Sequence, residues 1–253
     1  MLKINSKQKW ALITGALGGI GKALTKEYVT AGYHVVATDI KNGDINTPNV
    51  YFLPLDLEKF VLEEVYAAEF YQNVSSITNG NGISCLVNNA ATQILADTGK
   101  ITRRQWNASL NVNLSAPFFL SQLFLKDLEQ NNGAIVNISS IHATQTKKQF
   151  VAYATTKAAL SSMTRNMVLD IGNRIRINAI EPAAIATEML KAGFSGKEEL
   201  YKQLERFHPI GRVGTPEEIA KLALFLSSDE AGFIQGACIS ASGGIHGCLS
   251  DPI

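Results

Sequence analysis

The chain has no excess of positive or negative charge. Its 253 residues carry 23 Lys and Arg against 22 Asp and Glu, so the formal net charge is only +1. Such a balance creates no long-range field that would attract nucleic acid or an anionic membrane surface. We therefore expect neither as a partner, and a small-molecule substrate is favoured by elimination.

Long apolar runs are missing as well. No stretch approaches the roughly 20 apolar residues that a bilayer-spanning helix needs. The residues before Trp10 include several polar ones and do not form the apolar core of a signal peptide. We expect no membrane association and a cytoplasmic location.

Cysteine is scarce. Cys85, Cys238 and Cys248 form no CxxC pair and have no histidine at ligand spacing, so neither a zinc site nor a disulfide framework is expected. We predict no metal site. Linkers, internal repeats and low-complexity tracts are also missing, and the hydrophobic share of 46% suits one large core. Residues 1–253 are therefore expected to form a single domain.

The pattern that is present alternates short apolar, β-branched runs with longer segments of helical periodicity. This alternation is typical of a parallel sheet with helices on both faces, so the predicted fold class is α/β, a doubly wound Rossmann-type sheet of seven parallel strands. The predicted strands span residues 10–14, 34–38, 50–55, 84–87, 134–139, 175–180 and 237–241. The predicted helices span residues 19–31, 58–76, 102–130, 152–171 and 216–226.

Residues 188–209 interrupt this alternation. The segment contains Gly193 and Gly196 and then offers a short amphipathic helix at 198–207. An excursion of this kind between two core elements often covers a site. We predict that it forms a substrate lid.

A glycine-rich turn follows the first predicted strand and opens the first predicted helix. Glycines there allow positive φ and let backbone N–H groups approach a pyrophosphate, whose charge the helix N-terminus favours. Asp39 ends the next strand, eighteen residues after Gly21. A carboxylate at that point can accept hydrogen bonds from both adenine-ribose hydroxyls and repels a 2′-phosphate.

Asp39 therefore favours NAD over NADP. No arginine stands at positions 38–41 to receive a phosphate, and Lys41 is the only nearby cation. The alternative is that Asp39 merely caps a turn before Asn42 and Gly43.

Three polar side chains are predicted to meet at one edge of the sheet. Tyr153 and Lys157 are four residues apart near the start of a helix, so they share one face of it. Ser140 follows the preceding strand, and ligands bind at the carboxyl ends of parallel strands. A phenolate is favoured by a neighbouring ammonium and by the positive nicotinamide of NAD⁺. Tyr153 could then accept an alcohol proton while Ser140 holds the oxygen.

A proline in the long predicted helix points to one further polar group. Pro117 has no N–H, so the carbonyl of Asn113, four residues earlier, loses its helical partner. That carbonyl either accepts a hydrogen bond from water at a helix kink or is a free acceptor near a functional site.

Several ordered motifs resemble those of the short-chain dehydrogenase/reductase family between Lys9 and Gly244. The segment 14–21, TGALGGIG, is similar to the family's TGxxxGxG, and residues 88–91, NNAA, look like its NNAG. The resemblance implies that Asn113, Ser140, Tyr153 and Lys157 are catalytic, with Lys157 binding the nicotinamide ribose and lowering the pKa of Tyr153. It also implies that the Asn113 carbonyl holds a relay water.

The resemblance extends the set of expected cofactor contacts. Asp56 and Leu57 would flank the adenine, Asn89 would meet the adenosine ribose, and the segment from Pro182 to Thr187 would contact the carboxamide. The predicted cofactor-binding residues are Gly15, Leu17, Gly18, Gly19, Ile20, Gly21, Asp39, Ile40, Asp56, Leu57, Asn89, Ala90, Tyr153, Lys157, Pro182, Ile185 and Thr187.

Three positions depart from the family pattern. Ala91 and Ala183 replace glycines, so the local φ must suit alanine or the turn must shift. We expect both changes to be tolerated. Ser242 stands where many relatives carry Asp before two glycines.

The function predicted from these residues is hydride transfer between NAD(H) and a secondary alcohol or ketone, with Tyr153 as general acid and base. Two alternatives stay open at this point: an NADPH-dependent 3-oxoacyl-carrier-protein reductase, for which Lys147 and Lys148 could contact the carrier, and a catalytically idle nucleotide-binding scaffold. The family resemblance implies a homo-oligomer, usually a tetramer.

Overall fold

A computed structural model describes residues 8–43 and 46–249 of the chain. Residues 1–7, 44–45 and 250–253, which the predicted domain includes, lie outside the described part. One parallel sheet has the strand order β3-β2-β1-β4-β5-β6-β7. The strands are β1 (Trp10–Thr14), β2 (His34–Thr38), β3 (Val50–Phe52), β4 (Cys85–Asn88), β5 (Ala134–Ile138), β6 (Arg176–Pro182) and β7 (Cys238–Ala241). The seven predicted strands and the doubly wound α/β architecture are confirmed.

Helices cover both faces of this sheet, as predicted. In β1, Ala11 and Ile13 belong to one buried cluster, whereas Trp10 and Leu12 belong to another, because alternate residues of a strand point to opposite faces. The helices are α1 (Gly19–Thr30), α2 (Leu57–Leu62), α3 (Glu64–Ile77), α4 (Arg103–Leu110), α5 (Ala116–Leu123), α6 (Leu125–Gln130), α7 (Val151–Ile171), α8 (Glu188–Gly193), α9 (Glu198–Arg206) and α10 (Pro216–Ser227). Helices α1 and α10 pack on the first face; α2, α3, α5 and α7 contribute to the second. No helix of the described residues is both long and apolar enough to cross a bilayer.

Most predicted boundaries agree with the structure to within two residues, but one strand and one helix differ more. The third strand ends at Phe52 rather than at residue 55, since Pro54 has no N–H for the ladder. The helix predicted at 58–76 is two helices that meet at Glu63, whose φ of −126° and ψ of 100° are extended. The first of these helices, α2, starts at Leu57 rather than at residue 58, because the Asp56 side chain caps it by accepting from the N–H groups of Glu58 and Lys59.

The single long helix predicted at 102–130 is also wrong in detail. A π-helical turn at Asn111–Ser115 separates α4 from α5, and the chain breaks again at Phe124 before α6. Ala116 donates to the carbonyl of Asn111, five residues back. Pro117 cannot donate a backbone hydrogen bond, and the helix widens just before it.

The strand order reverses beside β1, whose two neighbours are β2 and β4. In open parallel sheets, ligands bind outside the carboxyl ends of the strands at such a switch point. The predicted site residues lie at or after the carboxyl ends of the strands from β1 to β6, or on the helical segments that follow these strands.

Candidate active site

The glycine turn after β1 packs tightly on the segment after β4. Gly15 has a φ of +65°, and a Cβ atom there would lie 2.8 Å from the Cα of Ala90. The Asn89 side chain donates to the carbonyls of Thr14 and Gly15 at 2.8 and 3.1 Å. The backbone N–H groups of Asn89 and Ala90 both donate to the Thr14 hydroxyl at 3.0 Å. The structure thus brings together predicted site residues from two strand ends, with Thr14 as a link that the sequence reasoning missed.

The start of α1 requires small residues and leaves backbone donors open. A Cβ on Gly21 would lie 2.0 Å from the carbonyl oxygen of Gly15, and one on Gly19 would lie 2.8 Å from Cγ2 of Thr187. Gly18 precedes the helix, and no side chain caps it. Among the described residues, no acceptor faces the N–H groups of Gly19, Ile20 and Gly21. Such an N-terminus attracts an anion.

The Asp39 carboxylate is held against this turn. Its two oxygens accept from the backbone N–H groups of Leu17 and Lys41, each at 3.1 Å. The turn-capping role that the sequence left open is therefore real, and it also fixes the carboxylate beside the glycine turn. Ile40 is 67% exposed at the same edge.

Asp56 and Leu57 lie at the start of α2. Asp56 uses one carboxylate oxygen, Oδ1, for the cap, and Leu57 is buried in the core. Their predicted place beside an adenine stays a prediction.

Ser140, Tyr153 and Lys157 meet at the carboxyl end of β5. Lys157 is only 2% exposed, and its Nζ donates to the carbonyl of Ile138 at 2.7 Å. The same Nζ lies 5.7 Å from the centroid of the Tyr153 ring. A hydrogen bond from Ser140 lowers the pKa of the Tyr153 phenol. The three predicted groups are thus adjacent.

Burial dominates the acid–base properties of this cluster. Desolvation lowers the pKa of Lys157 from 10.5 to about 7. Desolvation also raises the pKa of Tyr153 above 10, and the Ser140 hydrogen bond only partly opposes this. Lys157 is not among the causes of this shift, so its predicted lowering of the Tyr153 pKa stays a prediction.

Asn113 is fully buried within the π-helical turn. Its side chain exchanges two hydrogen bonds with the backbone of Thr92, at 2.8 and 2.9 Å, and donates to the Thr156 hydroxyl at 3.0 Å. The side chain thus ties the segment after β4 to α7. The relay role of the Asn113 carbonyl stays a prediction.

Comparisons with known proteins agree with this geometry. A family model described as enoyl-(acyl carrier protein) reductase matches residues 15–246. The 3-oxoacyl-(acyl-carrier-protein) reductase of Thermotoga maritima is 34% identical over 243 residues, covering 94% of this chain and 97% of that protein. The NAD-dependent glycerol dehydrogenase of Listeria innocua is 32% identical, covering 95% of this chain and 94% of its own. The ligand-free structure of Thermoplasma acidophilum aldohexose dehydrogenase matches with a TM-score of 0.88 at 27% identity, covering 98% and 97% of the two chains.

The chain belongs to the short-chain dehydrogenase/reductase family. It is thus an oxidoreductase of a family that acts on CH–OH groups and binds a nicotinamide cofactor.

The departures from the family's glycine pattern do not strain the backbone. Neither Ala91 nor Ala183 has a positive φ, so both accommodate a Cβ atom. Ala183 also keeps a backbone hydrogen bond to the carbonyl of Ala241 at 3.1 Å. Ser242 is buried and accepts a hydrogen bond from the Ser240 hydroxyl at 2.9 Å. The backbone condition for both alanines is thus met, and the expectation that they leave cofactor binding intact stays a prediction.

The segment after β6 returns to the glycine turn. Pro182 ends the strand, and Ile185 is buried and pairs with Gly214. The Thr187 hydroxyl accepts from the N–H of Leu190 and caps α8, while its Cγ2 is the atom that a Cβ on Gly19 would meet. The predicted carboxamide-contacting segment therefore begins at β6 and ends against α1.

The predicted lid has two helices rather than one. The amphipathic helix is confirmed as α9, one residue shorter than predicted, and α8 precedes it. No residue of α9 is buried, and Leu200 and Phe207 are exposed. Thr187 supplies the cap that starts α8, and the sequence reasoning overlooked this signal.

An aromatic cluster that the sequence reasoning missed surrounds Tyr153. The His142 ring stacks on Phe150, with centroids 4.4 Å apart, and meets the Tyr153 ring edge-on at 5.9 Å. Burial, followed by the charge of Lys147, lowers the pKa of His142. His142 is therefore a neutral ring beside the phenol at neutral pH.

Proposed function

We propose that this protein is an NAD-dependent dehydrogenase that oxidises a secondary alcohol or reduces the matching ketone. The observation that carries the proposal is the convergence of Ser140, Tyr153 and the buried Lys157 at the carboxyl end of β5. A bound nicotinamide cofactor supplies the hydride acceptor or donor.

The protein's own groups then manage the proton and the oxygen. As a phenolate, a form that the positive charge of a bound NAD⁺ would favour, Tyr153 takes the hydroxyl proton in oxidation. As a phenol it returns the proton in reduction, and in both directions Ser140 donates a hydrogen bond to the substrate oxygen. Lys157 has a pKa of about 7 and so exchanges protons near neutrality. When protonated, its Nζ has donors left beyond the one that Ile138 accepts.

The residues around the glycine turn fit a dinucleotide. The tight contacts of Gly15, Gly19 and Gly21 exclude side chains, and the open N–H groups of α1 suit a pyrophosphate. We propose that the seventeen cofactor-binding residues named above hold the cofactor, and that residues 188–209 close over the substrate.

Asp39 is the basis for proposing NAD rather than NADP. Two backbone N–H groups fix its carboxylate, and each oxygen keeps a lone pair for a ribose hydroxyl. A 2′-phosphate there would meet a like charge. The name of the Listeria innocua relative, an NAD-dependent glycerol dehydrogenase, is consistent with this reading.

Asp39→Ala is expected to weaken NADH binding about tenfold or more, because hydrogen bonds to a charged group are lost, and to narrow the preference for NADH over NADPH. Fluorescence titration of both nucleotides measures this. Asp170→Ala, which removes an exposed carboxylate from α7, serves as the matched control. Tighter binding of NADPH than of NADH by the unmodified protein would contradict the NAD assignment.

The reaction itself is tested by screening secondary alcohols with NAD⁺, glycerol and aldohexoses included, and following NADH formation. Turnover supports the dehydrogenase. NADH binding without turnover of any alcohol or ketone in either direction would favour the idle scaffold instead.

A second candidate is a 3-oxoacyl-carrier-protein reductase. It is favoured by the Thermotoga maritima relative and by exposed Lys147 and Lys148 in the loop before α7. Lys147 lies over the Phe150 ring at 4.8 Å from its centroid, so its side chain has a local contact as well. Rapid NADPH-dependent reduction of an acetoacetyl thioester, exceeding any alcohol oxidation, would favour this candidate.

We also propose a homo-oligomer. Phe118 and Phe119 on α5 are 39% and 40% exposed and contact each other edge-on at 5.4 Å. Exposed aromatic pairs of this kind favour a subunit contact. Light scattering is expected to give a mass above that of one chain at micromolar concentration, and Phe118→Asp is expected to lower it. A monomer in the unmodified protein would refute the proposal.

A further inference from the structure

A buried carboxylate lies behind the candidate catalytic groups and has no part in the chemistry above. Glu181 is 4% exposed and stands on β6 directly before Pro182. Its Oε1 accepts a hydrogen bond of 2.7 Å from the hydroxyl of Ser161 on α7. A buried charge is costly unless it is hydrogen-bonded. Glu181 thus links the end of β6, where Pro182 is a predicted cofactor contact, to α7, which carries Tyr153 and Lys157.

Ser161 connects Glu181 to Ser139. The Ser139 hydroxyl oxygen lies 2.8 Å from that of Ser161 and 3.0 Å from the carbonyl oxygen of Lys157. A carboxylate can only accept, so the single hydroxyl proton of Ser161 goes to Glu181. Towards Ser139, Ser161 can then only accept, and the single hydroxyl proton of Ser139 is shared between Ser161 Oγ and the carbonyl of Lys157. The carboxylate therefore fixes the orientation of the Ser161 hydroxyl, and Ser139 on the end of β5 contacts two acceptors on α7.

The chain begins next to the reacting groups. Ser139 directly precedes Ser140, and its backbone N–H donates to the carbonyl of Ile180 on β6 at 2.8 Å. The residue before it, Ile138, carries the carbonyl that accepts from Lys157 Nζ. The strand end that presents Ser140 is thus joined to the helix that carries Tyr153 and Lys157.

We propose that Glu181 is a positioning residue that acts through Ser161 and Ser139 to hold Ser140 and Lys157 in their reactive arrangement. This role rests on the proposed dehydrogenase function. Arg165 on α7, which like Glu181 acts on the Cys238 thiol, donates to the sulfur of Cys238 on β7 at 3.2 Å. The charge of Glu181 contributes to the raised pKa of the Cys238 thiol, after burial, while Arg165 acts in the opposite direction.

Glu181→Leu removes the final acceptor and Ser161→Ala removes the link, so in both variants the strand end is free to shift against α7. Displacements of about 1 Å at an active site can lower rates by about 100-fold. We expect a smaller displacement here, so kcat should fall about tenfold, and the NADH dissociation constant should change less than kcat does. The primary isotope effect of an alcohol deuterated at the carbinol carbon should rise, because hydride transfer then limits turnover. Glu181→Gln, which keeps an acceptor for Ser161, should restore kcat close to that of the unmodified protein.

Ser162→Ala is the matched control, since Ser162 is the exposed neighbour of Ser161 on α7. If Glu181→Leu does not fold, Ser161→Ala carries the test, because it removes only a hydroxyl. Unchanged kcat and isotope effect in Ser161→Ala would overturn the positioning role, and so would a loss of thermal stability with no change in isotope effect. An unmodified protein that oxidises no alcohol would overturn the proposed function and this role with it.

Discussion

Tyr153→Phe is expected to lower kcat by about 1,000-fold in both directions, the middle of the range for general acid–base catalysis. The substitution removes the phenol oxygen and keeps the ring. The edge-on contacts of that ring with His142 and Phe150, at 5.9 and 6.1 Å, are therefore retained. Steady-state kinetics give kcat, and NADH titration should show a far smaller change in the dissociation constant, because the other sixteen predicted cofactor-binding residues are kept.

Tyr71→Phe provides the control, because it removes a phenol on α3 that donates to Asp127 on α6 and is not among the candidate site residues. A residual rate in Tyr153→Phe within a few-fold of the unmodified protein would mean that another group moves the proton. Burial raises the pKa of Tyr153, so the phenol keeps its proton at neutral pH and is ready to act as an acid in ketone reduction. The reductive kcat of the unmodified protein should fall as pH rises into the alkaline range.

The sequence predicted what depends on local pattern. Each strand is a short run of apolar residues between turn signals, and each could be recognised without its neighbours. The glycine turn and the Tyr153–Lys157 pair were also visible, since each lies on one element. The convergence of Ser140 with that pair followed from a general property of parallel sheets.

What the sequence did not reveal depends on packing between distant elements. The break at Glu63 is an extended backbone conformation within an otherwise helical sequence pattern. Pro117 predicted a disturbance of the long helix, but not that the disturbance would be a π-helical turn at Asn111–Ser115. The hydrogen bonds that the Asn113 side chain donates to Thr92 and Thr156 join residues 21 and 43 positions apart. Likewise, burial of Tyr153 raises its pKa more than the Ser140 hydrogen bond lowers it, and this burial exists only in the folded protein.

Lys157→Met is expected to abolish measurable turnover and to stabilise the protein at pH 6. The folded pKa of about 7 lies below the ordinary 10.5, so keeping this lysine protonated in the folded state costs about 5 kcal/mol at 1.36 kcal/mol per pKa unit. Methionine removes that cost but leaves the carbonyl of Ile138 without its donor. A buried acceptor without a partner destabilises the folded state by about 1–3 kcal/mol. The expected net gain in the free energy of unfolding is about 2–4 kcal/mol at pH 6.

The pH dependence of that gain distinguishes this cause from improved packing. Below pH 7 the lysine is protonated in both the folded and unfolded states, so the full cost is present. Between pH 7 and 10.5 the folded protein has lost this proton while the unfolded chain still holds it, so the stability of the unmodified protein rises with pH. Urea unfolding of the nucleotide-free proteins should therefore show the advantage of Lys157→Met at pH 6 and its loss by pH 10. Lys221→Met, at an exposed position on α10, should show neither effect. If Lys157→Met were more stable than the unmodified protein by the same amount at both pH values, burial of the ammonium would not be the cause. A stability gain seen only at pH 6 would show that the unmodified site keeps a destabilising positive charge beside Tyr153.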